Sequence, residues 1–230
     1  MIKAILMDFN GVIINDEPIQ MRAYQEILKG EDIDLTEDEY YSALGMDDRR
    51  FVEAALKRAN REVNGDKVGD ICRAKTQKWR EIVENDLPLF DGVQNFVENM
   101  SREFALGIVS MANGEEIAWV LAQAGLADLF SIVVSSQNVK NCKPDPECYR
   151  TGFRMLDAVR SAHGHLPMTH RECLVIEDSP PGIESAVSAG LPALGVANTV
   201  SPDALRAAGA KAVATNLDDW MPDSIRRVFS

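Results

Sequence analysis

The chain has 230 residues, 46% of them hydrophobic and 26% charged, an ordinary globular composition that excludes a disordered or fibrous protein. With 24 basic against 36 acidic side chains the net charge is -12, so the surface repels nucleic-acid phosphates and anionic lipid headgroups, and neither nucleic acid nor a membrane is an expected partner. The length suits one full domain plus a smaller insertion, and any anionic ligand must be met by a local positive field from lysines, a metal or helix N-termini.

The opening segment MIKAILMDF is too short and too quickly acidic for a signal peptide. No apolar run approaches the roughly 18 to 20 residues of a membrane span, so a cytoplasmic protein is expected. The apolar run at 2–7 predicts a buried strand that ends on Asp8. Between Asp16 and Asp86 such runs vanish, and helical patterns follow one another over 19–28, 38–44, 49–59 and 68–83. The chain re-enters the core through 87–90, with Asp91-Gly92 as a turn signal.

A run at 104–109 predicts the next strand, ending at Ser110. Asn113 then opens a helix with Glu116 at the reciprocal capping position and an apolar stripe of Ile117, Val120, Leu121 and Ala124 that stops at Gly125. A strand at 132–134 leads to the loop NCKPDP, which carries Lys143. The stretch 157–172 reads as a loop holding His163, His165 and His170, surface histidines rather than a metal cluster. A strand at 173–176 ends on Glu177-Asp178, a helix from Gly182 to Gly190 carries Ile183, Ala186 and Val187 on one face, and a last strand is expected at 193–197. Cys72, Cys142, Cys148 and Cys173 lack CxxC spacing and read as free thiols.

Strand, crossover helix, strand is a parallel α/β design. The expected architecture is a Rossmann-like parallel-sheet core, residues 1–15 and 87–230, with an inserted helical cap, residues 16–86. In such a sheet ligands bind beyond the carboxyl ends of the strands. Asp8, Ser110, Lys143 and Glu177-Asp178 all stand there. Together they suit phosphoryl transfer: one carboxylate as nucleophile, a second to help hold Mg2+, and a lysine and a hydroxyl to orient phosphate oxygens. Glu177 reads either as a water-mediated metal ligand or as an orienting residue behind the site. Taken singly, each of these residues is a helix cap, a solvated loop charge or a satisfied hydroxyl; only their joint occurrence argues for a site.

The strings MDFNGVIINDEP, IVSMAN, KPDP and IEDSPPGIESAVSAG resemble, in order and spacing, the four motifs of haloacid dehalogenase-like phosphatases with a helical cap, especially the beta-phosphoglucomutase-like branch. The resemblance implies that Asp8 is the phosphate-accepting nucleophile, that Ser110 and Lys143 bind the phosphoryl group, and that Asp8, Asp178 and the carbonyl of Asn10 ligate Mg2+, with Glu177 beside them. It implies Mg-dependent hydrolysis of a small phosphate monoester, such as a sugar phosphate, by a monomer or small homo-oligomer. A beta-phosphoglucomutase-like phosphotransferase and a non-catalytic phospho-ligand binder are the alternatives. In the cap, Arg49 and Lys75 fall at positions where that branch contacts substrate.

One departure stands out against the family pattern. Phosphatases of this type carry Asp two residues after the nucleophile, as the acid/base, and this chain has Asn10. An amide cannot donate and recover a proton at neutral pH, and a positioned acid/base is worth roughly 100- to 10,000-fold in rate. Asn10→Asp is therefore expected to raise turnover. Alternatively Asp16 or Glu17 supplies another proton route, or the domain binds without turning over.

Overall fold

Alternate residues of a strand point to opposite faces of a sheet, and the first strand is apolar on both: Ile5 and Met7 enter one buried cluster, Ala4 and Leu6 another. A strand buried on both faces belongs in the middle of a parallel sheet. In the computed structural model, which describes residues 1–229, six strands β1 (Ala4–Met7), β2 (Ala105–Val109), β3 (Ile132–Val134), β4 (Cys173–Glu177), β5 (Ala193–Val196) and β6 (Ala212–Ala214) pair in parallel in the order β3-β2-β1-β4-β5-β6. The order reverses at β1, between β2 and β4, and this switch point is where a crevice opens at the carboxyl edge.

On the face of Ile5 and Met7 lie α5 (Val93–Ser101), α6 (Gly114–Gln123) and α10 (Pro222–Phe229), through Phe96, Val97, Ile117, Val120 and Phe229. On the other face lie α7 (Glu147–Ala162), α8 (Pro180–Ser188) and α9 (Pro202–Ala207), through Tyr149, Leu156, Ile183, Ala186 and Leu205. Ile183 and Ala186 are buried as expected, but Val187 is 46% exposed, because the face that α8 buries is narrower than its apolar pattern. Helix α7 runs through Ala162, so the loop expected from Asp157 begins only at His163. There His163 bonds the carbonyl of Val159 through Nδ1, and His170 stacks on Phe153.

Between β1 and α5 come α1 (Glu17–Lys29), α2 (Glu37–Tyr41), α3 (Asp48–Arg58) and α4 (Gly65–Val83). They enclose their own apolar cluster, including Tyr24, Leu28, Phe51, Leu56 and Ile71. Local signals set their ends: Thr36 and Glu39 form a reciprocal capping box on α2, and Asp47 caps α3 by accepting from the Arg50 amide. The roots of the insertion, Ala23 on α1 and Trp79 and Val83 on α4, join the sheet's cluster instead, which ties the insertion to the crevice. Among the described residues no helix is long and apolar enough to cross a membrane, and all four cysteines are free.

Candidate active site

Asp8 leaves β1 with its amide donating to the carbonyl of Ile176 at 2.9 Å, so the sheet's ladder extends to the residue that enters the crevice. Lys143 Nζ lies 3.0 Å from Asp8 Oδ2 and 2.5 Å from Glu177 Oε1. The lysine is buried beside the ring of Tyr149. Burial opposes its charge, but Asp8 and Glu177 outweigh that and push its pKa above the ordinary lysine value. Glu177 also accepts from Tyr149 at 2.8 Å, and its other oxygen takes the amides of Asp178 and Ser179 and the Ser179 hydroxyl. Despite its burial, Lys143 and these donors hold Glu177 below the ordinary glutamate value. With both oxygens filled, Glu177 fits the orienting role better than the ligand role.

Asp8 Oδ1 is different: it is buried and has no hydrogen-bond partner among the described residues. A buried, unpartnered carboxylate oxygen is costly unless something absent from the chain completes it. Asp8, Glu177 and Asp178 offer oxygens within 4.8 Å of one another, against the single charge of Lys143. Burial and the neighbouring carboxylates push Asp8 up to about 7 and Asp178 well above its usual range. An all-oxygen, excess-negative cluster with one open oxygen suits a hard divalent cation such as Mg2+.

Gly11, at φ +74°, lets the β1 loop press against this cluster: a Cβ there would stand 1.9 Å from Asp178 Oδ2. Two residues that sequence reasoning missed complete it. Asn198 Nδ2 donates to the Gly11 carbonyl at 2.8 Å, and the Thr199 hydroxyl donates to Asp178 Oδ2. They follow β5, another carboxyl end, and that position was the available signal. Ser110 is buried after β2, its Oγ accepting the Ala112 amide at 3.1 Å, and it lines the same cleft as Asp8, Asn10, Lys143 and Asp178.

Asn10 lines the cleft and commits its amide to Asp16, with Nδ2 donating to Oδ1 at 2.9 Å and Oδ2 at 3.1 Å. Gln20 and the indole of Trp79 also donate to Asp16, at 2.9 and 2.8 Å. Asp16 is 0% exposed. Burial raises its pKa, partly offset by the Asn10, Gln20 and Trp79 hydrogen bonds. Of the two acids considered as alternative proton routes, Asp16 is fully buried and is not among the residues lining the cleft, while Glu17 lines it.

From the insertion, Lys75 reaches the cleft wall but its charge is already engaged, with Asp48 at 2.8 Å, Glu116 at 3.4 Å and the side-chain Oε1 of Gln20 at 3.0 Å. Glu116 was expected to cap its own helix; instead it is buried and accepts from Lys75 and, at 2.6 Å, from Thr76. Asn113 caps α6 through the Glu115 amide alone. An ion pair across the seam, Lys75 with Glu116, outcompetes a local cap because both partners are desolvated there. Arg49 is not brought into the cleft; it pairs with Glu53 at 3.3 Å and lines a separate opening along the seam. The cleft has a volume of about 100 Å³, small beside the roughly 300 to 1,000 Å³ of a typical ligand pocket, so the insertion leaves little room over the strand ends.

A family model described as haloacid dehalogenase-like hydrolase matches residues 5–196. A phosphorylated carbohydrates phosphatase from Thermotoga maritima is 26% identical over 92% of this chain and 93% of its own length. The fructose-1-phosphate phosphatase YqaB of Escherichia coli is 26% identical over 84% of this chain and 95% of its own. Among solved structures, a beta-phosphoglucomutase from Clostridium difficile superposes with a TM-score of 0.84 at 20% identity, covering 100% of this chain and 97% of that one; that likeness speaks to the fold.

Proposed function

Because this chain belongs to the haloacid dehalogenase-like hydrolase family, we propose that it hydrolyses a small phosphate monoester of the sugar-phosphate class through an aspartyl-phosphate on Asp8. The observation that carries the reading is the state of Asp8: one oxygen held by Lys143 and the other buried without a partner. The same carboxylate can therefore attack phosphorus and help hold a cation. The sugar-phosphate class is supported by the names of the two phosphatase relatives.

Asp8, Asp178 and the carbonyl of Asn10 would hold Mg2+, which supplies positive charge beside the transferring phosphoryl group. In this reading Lys143 and Ser110 bind the phosphoryl oxygens, and Glu177 keeps Lys143 aimed. Residues 16–86 act as a cap that excludes water from the site. Asn10 favours one second reading, a binder of phosphorylated ligands, because its side chain carries no transferable proton.

Release of inorganic phosphate from a panel of sugar phosphates with Mg2+, by the unaltered protein and by Asp8→Ala, separates the two. Turnover that Asp8→Ala loses by about 1,000-fold or more supports the hydrolase. Ligand binding with no phosphate release by either protein supports the binder.

A further inference from the structure

We propose that Glu17 is the catalytic acid/base of this site, doing from the first residue of α1 what Asn10 cannot do from the strand end; the inference rests on the hydrolase reading. Six carboxylates line the cleft: Asp8, Glu17, Asp47, Asp48, Glu116 and Asp178. Asp8 and Asp178 form the nucleophile and cation cluster. Asp48 and Glu116 are tied to Lys75. Asp47 caps α3 with one oxygen and takes the Cys142 thiol with the other. Glu17 forms no salt bridge among the described residues, Lys75 acting on it only at a distance, and its one hydrogen bond comes from the neutral phenol of Tyr40, to Oε2 at 2.5 Å. It is the cleft carboxylate that is free both to hold and to release a proton.

The backbone explains how a residue so far along the chain reaches the strand end. The Gly11 amide bonds the Ile14 carbonyl at 2.9 Å, and Ile14 bridges both Asn10 and Leu89, so the chain doubles back and α1 starts over the crevice. Burial, then the negative charges of Asp16 and Asp8, raise Glu17 to about 7, against the Tyr40 hydroxyl and Lys75. Tyr41 and Asp178 also lie within its field. A group poised there exists in both forms at neutral pH, as an acid/base must.

The steps balance as follows. An Asp8 oxygen attacks phosphorus as the ester P–O bond breaks, and the Glu17 carboxyl gives its proton to the departing alkoxide, leaving aspartyl-phosphate and a Glu17 carboxylate. Water then attacks phosphorus as the P–O bond to Asp8 breaks. Glu17 takes the water's proton, returning both residues to their starting forms and releasing phosphate.

The test compares Glu17→Gln with the unaltered protein on a sugar phosphate and on p-nitrophenyl phosphate, whose phenolate leaves without needing a proton. The kcat/KM for the sugar phosphate should fall about 100-fold or more. For p-nitrophenyl phosphate it should stay within about tenfold, with a burst of nitrophenol as the phosphoryl-enzyme waits for a base. The alkaline limb of kcat/KM near pH 7 should vanish in Glu17→Gln, and in Tyr40→Phe it should move upward, because the charged form has lost a donor. Equal losses on both esters, or no loss on the sugar phosphate, overturn the role of Glu17 while leaving the hydrolase reading intact. Absence of turnover by the unaltered protein on both esters overturns that reading and the inference with it.

Discussion

Lys143 sits between two buried carboxylates, and a cation so placed cannot be removed without leaving like charges facing each other in a dry site. The same reasoning changes what Asn10→Asp should do. From sequence the exchange is nearly isosteric, and it supplies the acid that the resemblance to the family pattern implies at this position. In the structure, however, the Asn10 amide donates to both oxygens of Asp16, and the exchange turns a donor into a third acceptor against a carboxylate that is already buried. The variant is expected to lose about 1.5 to 3 kcal/mol of stability near pH 8, the worth of a hydrogen bond to a charged group. The sign of the pH dependence follows from the pair. Burial already raises Asp16, and a neighbouring carboxylate raises it further. An acid whose folded-state pKa is raised contributes stability at low pH and loses it as pH climbs above its unfolded value near 4. Urea unfolding at pH 5 and pH 8 should therefore show a deficit that grows with pH. A pH-independent deficit would mean that the two side chains do not meet.

At the scale of elements, the strand ends were legible because a strand's last residue and its polar successor are local facts: β3 has the predicted bounds, and β1, β2, β4 and β5 differ by at most two residues at an end. What was not legible depends on distant partners. Sheet-edge strand β6 is only Ala-Val-Ala, too short to carry a period. Helix α7 buries Cys148, Tyr149, Phe153 and Leu156 on one stripe, and its polar final turn looked like loop. Glu116 read as a cap because sequence reveals only neighbours along the chain, whereas Lys75 and Thr76 arrive from α4. The link between α4 and α6 carries a prediction. Glu116→Ala leaves Lys75 buried with Asp48 as its remaining anionic partner, and breaking a buried pair costs roughly 3 to 5 kcal/mol. Because that link joins the insertion to the core, amide exchange in α4 should quicken more than in α7, read by hydrogen-exchange mass spectrometry. Equal quickening in both would mean that the link serves global stability and not attachment of the insertion.

At the scale of the molecule, the cleft is narrow and ringed by contacts across the seam: Lys75 and Thr76 to Glu116, the Cys142 thiol to Asp47, and Arg50 to the Lys140 carbonyl. A metabolite larger than the roughly 100 Å³ now available is expected to enter more readily as that seam parts, so motion as well as charge should bear on access. Charge works against it too. Lys143, together with a cation bound beside Asp8 and Asp178, would supply positive charge at the site, but the chain as a whole carries -12, and a phosphate dianion approaching from bulk solvent meets the whole before it meets the site. At about 0.01 M ionic strength the Debye length of roughly 30 Å lets the molecule's full charge act on the incoming ligand, whereas at about 0.15 M it shrinks to roughly 8 Å and leaves mainly the site's own field. Raising ionic strength with a monovalent salt, at fixed Mg2+, is therefore expected to increase kcat/KM for a phosphate ester, the opposite of an enzyme that steers its substrate by net charge. The increase should fade for an uncharged competitive ligand measured by its inhibition constant. A kcat/KM that falls with salt would mean that the cation cluster at the strand ends governs approach from a distance, and that the -12 is distributed away from the mouth of the cleft.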